Sequence, residues 1–393
     1  MPNALLPLAE TLRPAVVPLA SSSGDYTPLL PWIGEETTLV VLSETTSGTH
    51  EFVRARAAIT KTLIQHLGFS GVAIDADWHA AKPVDQLIQN PASDALAIEA
   101  LSAFQHFPGW LWRNAELIDL ISWLRAANEN RQQPIRFYGL DLLPYHRTLW
   151  AFYDWIRRDH RSLLPELQEY LATLDPPVPA DELDPAPVIE TAIFHFLERQ
   201  PPLRPVFRGN LAELLQDPVR LQNRRDCQMM HALEAILHHS SAQKIVIWMH
   251  HYHGADSRAR EATFPERASF GQLLRERYAA RVKLIGLTTH HGTVAAAPAW
   301  GSPPERVPLP PPPSGGVECL LHEVEIPRFL LSLLNDDEPR DILASPLPQR
   351  PLGSVYDPGL PPPPSVEASL AEQYDIVIHF DETRAVEPLE EDF

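Results

Sequence analysis

The sequence predicts an α/β fold with a mostly parallel central sheet flanked by helices. Two observations predict it. Short, almost continuously apolar runs recur along the chain, as is typical of strands buried on both faces. Longer stretches with helical spacing of apolar residues lie between them, and this alternation is typical of βαβ units. At 393 residues the chain is long enough to bury a large core.

Six apolar runs are predicted as strands. They cover residues 38–42, 71–74, 135–140, 244–248, 283–287 and 375–379. Helical patterns between the strands are found over residues 51–67, 114–128 and 225–239. Each pattern is long enough to return the chain to the start of a parallel neighbour, so right-handed crossovers over the sheet are expected.

Residues 145–210 interrupt the alternation. Three further helical patterns, at 147–158, 163–173 and 188–199, are separated there by proline-rich turns. We interpret residues 145–210 as a helical insertion that forms part of a cleft over the sheet. The alternative is that they extend the outer helical layer.

The predicted domain organisation is simple. Residues 1–37 form an N-terminal extension, and residues 38–389 form one domain. The chain has 41 prolines, concentrated in residues 303–314 and 346–364, which we interpret as extended loops.

Composition limits the possible partners and the location. A formal charge of −19 argues against nucleic acid and anionic membranes, whose binding needs a basic face. The first thirty residues lack a signal-peptide pattern, and no apolar run reaches the roughly 18 residues that span a membrane. A cytoplasmic protein is expected, with Cys227 and Cys319 reduced. The sequence does not predict the oligomeric state.

Polar residues follow five of the six predicted strands. They are Glu44, Ser47 and His50 after the first, Asp75 and Asp77 after the second, Asp141 after the third, His250, His251 and His253 after the fourth, and His291 after the fifth. Ligands of such sheets bind outside the carboxyl ends of the strands. A single carboxylate here could cap a helix, but together these residues predict a cleft.

The same segments carry a family resemblance. They read LSETTSGTHEF (42–52), VAIDADW (72–78), WLWRN (110–114), FYGLD (137–141), NRRD (223–226), VIWMHHYH (246–253), IGLTTHHGTV (285–294) and FDETRAVEPL (380–389). On these motifs the chain resembles the erythromycin esterase family, found in many bacteria, over residues 38 to 389. The resemblance implies a metal-independent hydrolase in which a first-motif histidine activates water, assisted by a later histidine and two glutamates.

The resemblance transfers only in part. Glu44 matches the first glutamate and His250 the later histidine, but Ser47 stands where the first histidine is expected, and Asp75 replaces the second glutamate. A serine hydroxyl cannot act as a base near neutral pH, whereas an imidazole can. Arg56 and Arg225 match arginines of the family pattern, which implies either an ion pair with the acidic residues or substrate binding.

Three functional hypotheses remain open. The first is a hydrolase of an ester, lactone or amide in a small molecule or natural product, with His50 or His250 as the base. A sharper version makes Ser47 the nucleophile and His250 its base, oriented by Asp75 or Glu44. The second is a catalytically inactive family member that binds a small molecule or peptide. The third is a metal-dependent enzyme that uses the histidines of residues 250–253.

The expected residues follow from the first hypothesis. The catalytic set is Glu44, Ser47, His50, Asp75 and His250. The substrate-binding set is Arg56, Asp77, Asp141, Arg225, His251, His253 and His291. No cofactor and no metal are expected on this hypothesis, and the partner is a small-molecule or peptide substrate.

Overall fold

The structure is a computed structural model that describes residues 5–90, 93–105, 107–141, 218–240, 242–260, 268–335, 337–350 and 352–389. The helices predicted within residues 145–210 therefore lie outside the described residues, and the proposed insertion stays a prediction.

The strands of the described part form one large sheet and one small one. They are β1 (Val17–Pro18), β2 (Leu39–Glu44), β3 (Gly71–Asp77), β4 (Arg136–Asp141), β5 (Ile245–His250), β6 (Val282–Ala296), β7 (Glu305–Pro308), β8 (Arg328–Ser332), β9 (Leu347–Gln349), β10 (Val366–Ala368) and β11 (Ile376–Thr383). The large sheet has the order β1-β8-β11-β6-β2-β5-β3-β4, and β7 pairs with β6. The small sheet pairs β9 with β10.

The α-helices of the described residues cover both faces of the sheet. They are α1 (Leu6–Leu12), α2 (Leu30–Ile33), α3 (His50–His66), α4 (Trp78–Gln89), α5 (Ala97–Leu101), α6 (Ala115–Asn128), α7 (Pro218–His239), α8 (His251–Gly254), α9 (Phe270–Tyr278), α10 (Val317–His322), α11 (Glu338–Ala344) and α12 (Leu370–Gln373). None of them, within the described ranges, is long and apolar enough to cross a membrane.

The predicted fold class is confirmed. All six predicted strands are present as β2 to β6 and β11, and every pairing between them is parallel. The strands β1 and β8 add an antiparallel edge that the sequence analysis did not predict. The strands β7 and β9 lie within the two proline-rich segments that we interpreted as loops.

The central strand β2 shows why its sequence is continuously apolar. Val40 and Leu42 point into one core, with α3, α4 and α6. Leu39 and Val41 point into the other, with α7, α9 and α10. Because side chains alternate along a strand, a strand covered on both faces needs apolar residues at every position.

The strand order places four polar carboxyl ends side by side. In the sequence of neighbours β2, β5, β3 and β4, Glu44 is paired in register with His250, and Asp77 with Asp141. The sheet therefore brings these residues to one edge, below the loops that follow the strands.

Candidate active site

A cleft of about 330 Å³ lies at this edge of the sheet. Its lining combines strand-end polar residues with aromatic loop residues: Glu44, Ser47, Gly48, Val53, Arg56, Asp75, Ala76, Asp77, Ala80, Phe104, Phe107, Pro108, Gly109, Leu111, Trp112, Asp141, Arg225, His250, Tyr252, His253, Trp300, Gly353 and Ser354. The volume is in the range of small-molecule sites.

Glu44 and Arg56 form a buried ion pair at one end of the cleft. The Arg56 Nη2 atom lies 2.9 Å from Glu44 Oε2, and the two residues are 2% and 5% exposed. Burial raises the pKa of Glu44 to about 7; Arg56 opposes the rise, Asp75 adds to it, and the neighbouring Ser47 hydroxyl opposes it. Glu44 can therefore exchange a proton near neutral pH.

Arg56 has hydrogen-bond donors that no described group of the protein accepts. Its guanidinium lies over the ring of Trp248, with 4.8 Å between Cζ and the ring centroid. Within the described part of the chain, its Nε and Nη1 atoms have no hydrogen-bond partner. A buried guanidinium with unused donors beside a cleft can bind an anionic or strongly polarised oxygen.

A glycine turn presents Ser47 beside this pair. Gly48 has a φ of +77°, and a Cβ atom there would lie 2.2 Å from the carbonyl oxygen of Ala295. Only glycine fits both requirements. The turn follows β2 and leaves Ser47 buried in the cleft wall; α3 begins two residues after Gly48.

His250 is held by backbone groups. Its Nε2 atom donates to the carbonyl of Leu352 (3.1 Å), and its Nδ1 atom accepts from the Tyr252 N–H (3.3 Å). Asp75 Oδ2 accepts the His250 backbone N–H at 2.9 Å. The Leu352 carbonyl also accepts the Ser47 N–H at 3.4 Å. Ser47 and His250 thus meet at one carbonyl oxygen.

The other end of the cleft contains a second arginine–carboxylate pair. Arg225 Nε lies 2.5 Å from Asp141 Oδ2, and Arg225 Nη1 donates to His253 Nε2 at 3.0 Å. The His253 proton is therefore on Nδ1, which donates to the buried carboxylate of Asp226 at 2.6 Å. Asp77, also in the lining, caps α4 through the Ala80 N–H.

Three of the expected site residues are not among the described lining residues: His50, His251 and His291. His50 is the first residue of α3, and its Nδ1 atom donates to Glu116 while its Nε2 atom accepts from Arg384 at 2.9 Å. His251 is buried. His291 is exposed, four residues beyond the point where β6 passes Glu44.

The histidines of residues 250–253 do not form a metal-binding group among the described residues. His253 has Arg225 at one ring nitrogen and Asp226 at the other, and His250 bonds two backbone groups. In His250 and His253 these contacts use the ring nitrogen atoms that a metal ion would need.

A model of the erythromycin esterase family matches residues 64–383, most of the chain. The chain belongs to the erythromycin esterase family. Solved structures of similar fold include a Bacillus cereus protein, 19% identical, with a TM-score of 0.70 and coverage of 99% of this chain and 100% of that one. A succinoglycan biosynthesis protein is also 19% identical, with a TM-score of 0.68 and 98% coverage of both chains.

An erythromycin esterase, EreC, in its open conformation is similar at 16% identity. Its TM-score is 0.56, and the match covers 92% of this chain and 95% of EreC. These likenesses concern the fold. Within the erythromycin esterase fold of this chain, the cleft contains Ser47 where the family resemblance implies a histidine.

The aromatic wall of this family member was not predicted as part of the site. Phe107 and Trp300 meet with ring centroids 4.5 Å apart, and Trp112 packs against Phe104. The WLWRN motif marked Trp112, but its spacing is equally typical of core packing. Trp300 follows a proline in a loop, and no periodic pattern marks it.

Proposed function

We propose that the protein hydrolyses an ester, lactone or amide bond of a small molecule, with Ser47 as the nucleophile and Glu44 as its base. One observation carries the proposal. Ser47 lies beside Glu44 in the cleft wall, and burial raises the pKa of the Glu44 carboxylate to about 7. In its ionised form this carboxylate can take the proton of the neighbouring serine hydroxyl as the serine oxygen attacks.

Glu44 replaces the imidazole that the family resemblance implies. A carboxylate with an ordinary pKa is too weak a base at neutral pH, but one with a pKa near the operating pH is matched to proton transfer. Burial supplies the shift, and Asp75 reinforces it. In this proposal Glu44, three residues earlier, takes the role of the histidine expected at position 47, because its raised pKa makes it a stronger base than an ordinary carboxylate.

Arg56 supplies the positive charge that the developing oxyanion needs. In the resting cleft it pairs with the Glu44 carboxylate. When Glu44 takes the proton from Ser47, its charge is neutralised, the serine oxygen bonds to the carbonyl carbon, and the negative charge moves to the carbonyl oxygen of the substrate. The unused Nε and Nη1 donors of Arg56 would bind that oxygen.

As the carbonyl re-forms and the ester or amide bond breaks, Glu44 gives the proton to the leaving oxygen or nitrogen. Glu44 then takes a proton from a water molecule that attacks the acyl-serine, and returns it to Ser47 as the acid is released.

His250 and Asp75 act as positioning residues in this proposal. Asp75 fixes the backbone at His250, and the His250 ring holds the Leu352 carbonyl that also receives the Ser47 N–H. Loss of the ring would release the loop that packs against Ser47. We therefore propose that His250 assists the reaction through the placement of Ser47.

The cleft suits a small, partly apolar substrate. Phe104, Phe107, Trp112 and Trp300 line one wall, and charged groups occupy the floor. Such a site fits a carbonyl compound with an apolar body, a description that includes macrolide lactones. A cytoplasmic location remains a prediction.

Covalent labelling tests the nucleophile. The protein is treated with an alkyl fluorophosphonate, and its intact mass is measured by mass spectrometry. Turnover is measured separately with p-nitrophenyl acetate and with erythromycin. We expect one label per chain at Ser47, lost in Ser47→Ala and Glu44→Gln. Ser354→Ala, which alters another serine of the cleft lining, is the matched control and should still be labelled at Ser47.

Two results would overturn the proposal in different ways. Wild-type turnover by Ser47→Ala would mean that Glu44 activates water directly. A macrolide that binds with micromolar affinity and is recovered unchanged, with no label and no ester turnover, would identify the protein as an inactive binding member of the family.

A further inference from the structure

A histidine cluster lies where β6 and β11 run beyond their neighbours. His290 and His291 are on β6, and Asp381 is on β11. His322 ends α10, and His379 precedes Asp381 on β11. None of them is among the described lining residues of the cleft. The cluster is therefore a separate feature of the molecule.

Two imidazole nitrogens of the cluster are close together. The Nδ1 atoms of His290 and His291 are 3.1 Å apart. Two nitrogens bound to one zinc ion at about 2.0–2.1 Å in tetrahedral geometry lie roughly 3.3 Å from each other. One ligand atom from each of His290, His291 and Asp381 falls within 4.8 Å of the other two. A zinc ion bound to all three would hold these atoms roughly 3.3 Å from one another.

The surrounding contacts orient these groups. His322 Nδ1 donates to Asp381 Oδ1 at 2.6 Å, and the His322 ring stacks on His290 with centroids 4.0 Å apart and an angle of 6° between the planes. Hydrogen bonds to ligating carboxylates and fixed imidazole rings are regular features of metal sites. His322 thus fixes Asp381 by a hydrogen bond and His290 by ring stacking.

A second, independent observation comes from below the cluster. His379 is fully buried, and its Nδ1 atom bonds the Thr288 hydroxyl at 3.0 Å. Its Nε2 atom has no hydrogen-bond partner among the described residues, and it lies 3.8 Å from Asp381 Oδ1. A buried polar atom without a partner is costly. A metal ion or an ordered water beside Asp381 would give this nitrogen a partner.

We propose that His290, His291 and Asp381 bind a divalent transition-metal ion of the zinc class. Imidazole and carboxylate together suit Zn²⁺ and its neighbours in preference to Mg²⁺ or Ca²⁺. Three protein ligands leave a fourth position for water or a small anion. The ion would tie β6 to β11 at the end of the sheet. This site goes beyond the proposed hydrolysis and needs none of its residues.

Metal titration of the full chain without a His-tag tests the proposal. The protein is treated with EDTA, dialysed, and titrated with Zn²⁺ by calorimetry and with Co²⁺ by visible absorption. We expect one Zn²⁺ per chain, a Co²⁺ spectrum of four-coordinate type, and a Zn²⁺-dependent rise in Tm. His291→Ala and Asp381→Asn should each weaken binding at least about 10-fold. His291 is exposed, so its replacement leaves the core intact.

The matched control is the double variant His238→Ala/His239→Ala. These residues are also adjacent, exposed histidines with rings in contact, but they end α7. The control should bind Zn²⁺ as the wild type does, with the same Tm rise. Equal Zn²⁺ affinity in the wild type, His291→Ala and Asp381→Asn would overturn the proposal, as would a wild-type stoichiometry well below one per chain. Circular dichroism of each variant verifies that it is folded.

Discussion

The two ends of the cleft contain the same pair of chemical groups in different surroundings. At the β2 end, Glu44 pairs with Arg56; at the β4 end, Asp141 pairs with Arg225. Arg225 also donates to His253, so its Nε and Nη1 atoms both bind groups of the protein. Arg56 keeps two donor atoms without a partner in the described part of the chain.

On the proposed function, this difference distinguishes a structural ion pair from a reactive one. A carboxylate beside an arginine is by itself ambiguous, because both stability and catalysis use such pairs. At the β2 end, the raised pKa of Glu44, the unused donors of Arg56 and the hydroxyl of Ser47 coincide. At the β4 end, the chain from Arg225 through His253 ends on the buried Asp226. We therefore place the chemistry at β2.

The largest effect is expected from removing the base. Glu44→Gln should lower kcat for any ester substrate by at least about 100-fold, because the amide cannot accept the serine proton. Asp141→Asn should mainly lower the free energy of unfolding, by a few kcal/mol, because Arg225 loses its buried partner. Steady-state kinetics and urea denaturation of both variants measure the two effects. A larger loss of kcat in Asp141→Asn would reverse our assignment of the two ends.

Substitutions of the two arginines should differ in the same way, with the larger loss of activity at Arg56. Arg56→Lys keeps the charge but loses the planar donor set, and we expect kcat to fall on the order of 100-fold with a smaller change in KM. Arg225→Lys should show the smaller loss of kcat and a lowered Tm. Similar kinetic losses in the two variants would mean that both arginines contact the reacting carbonyl.

The pH dependence of stability should reveal the raised pKa of Glu44. A carboxyl whose pKa is about 7 in the folded state, against an ordinary value of 4.5, holds its proton more tightly when the protein is folded. Its contribution is fully present below pH 4.5 and is lost as pH rises to about 7, by up to about 3 kcal/mol. Urea denaturation at several pH values should show this loss in the wild type and a flatter profile in Glu44→Gln. Parallel profiles would place the pKa of Glu44 near its ordinary value.

The smallest expected effect concerns the turn that carries Ser47. Gly48 and Gly34 share a φ of +77°, but only at Gly48 would a Cβ atom meet a neighbour, the Ala295 carbonyl oxygen at 2.2 Å. Gly48→Ala should therefore lower the free energy of unfolding by about 1–3 kcal/mol more than Gly34→Ala does. Thermal and urea denaturation compare the two. Equal losses would mean that the turn relaxes without strain.

The sequence predicts the sheet and the shared edge of the site because both follow from local patterns. A continuously apolar run such as that of β2 is completely buried only in a strand whose sheet is covered by helices on both faces. Glu44, Asp75, Asp141 and His250 each end a parallel strand, and parallel neighbours end together.

The positions of His50 and His291 could not be predicted in this way. His50 begins a helix, and its direction is set by Glu116, 66 residues later in the chain. His291 would face the site if β6 ended with its neighbours, but β6 continues to Ala296. Trp300 and Leu352 lie outside the strands and helices, where no periodicity shows which neighbour a residue meets. These features depend on long-range contacts.

The carbonyl of Leu352 has a consequence for how the site keeps its shape. It comes from residues 346–364, a segment with eight prolines, and it receives N–H groups from both Ser47 and His250. Prolines limit the conformations of the unfolded chain, so a segment rich in them loses less entropy when it is held in one path. A segment with little regular structure of its own can thus hold the Leu352 carbonyl in place beside Ser47, the proposed nucleophile. Relatives that exchange this segment would alter the reactivity of the serine without a substitution in the cleft floor.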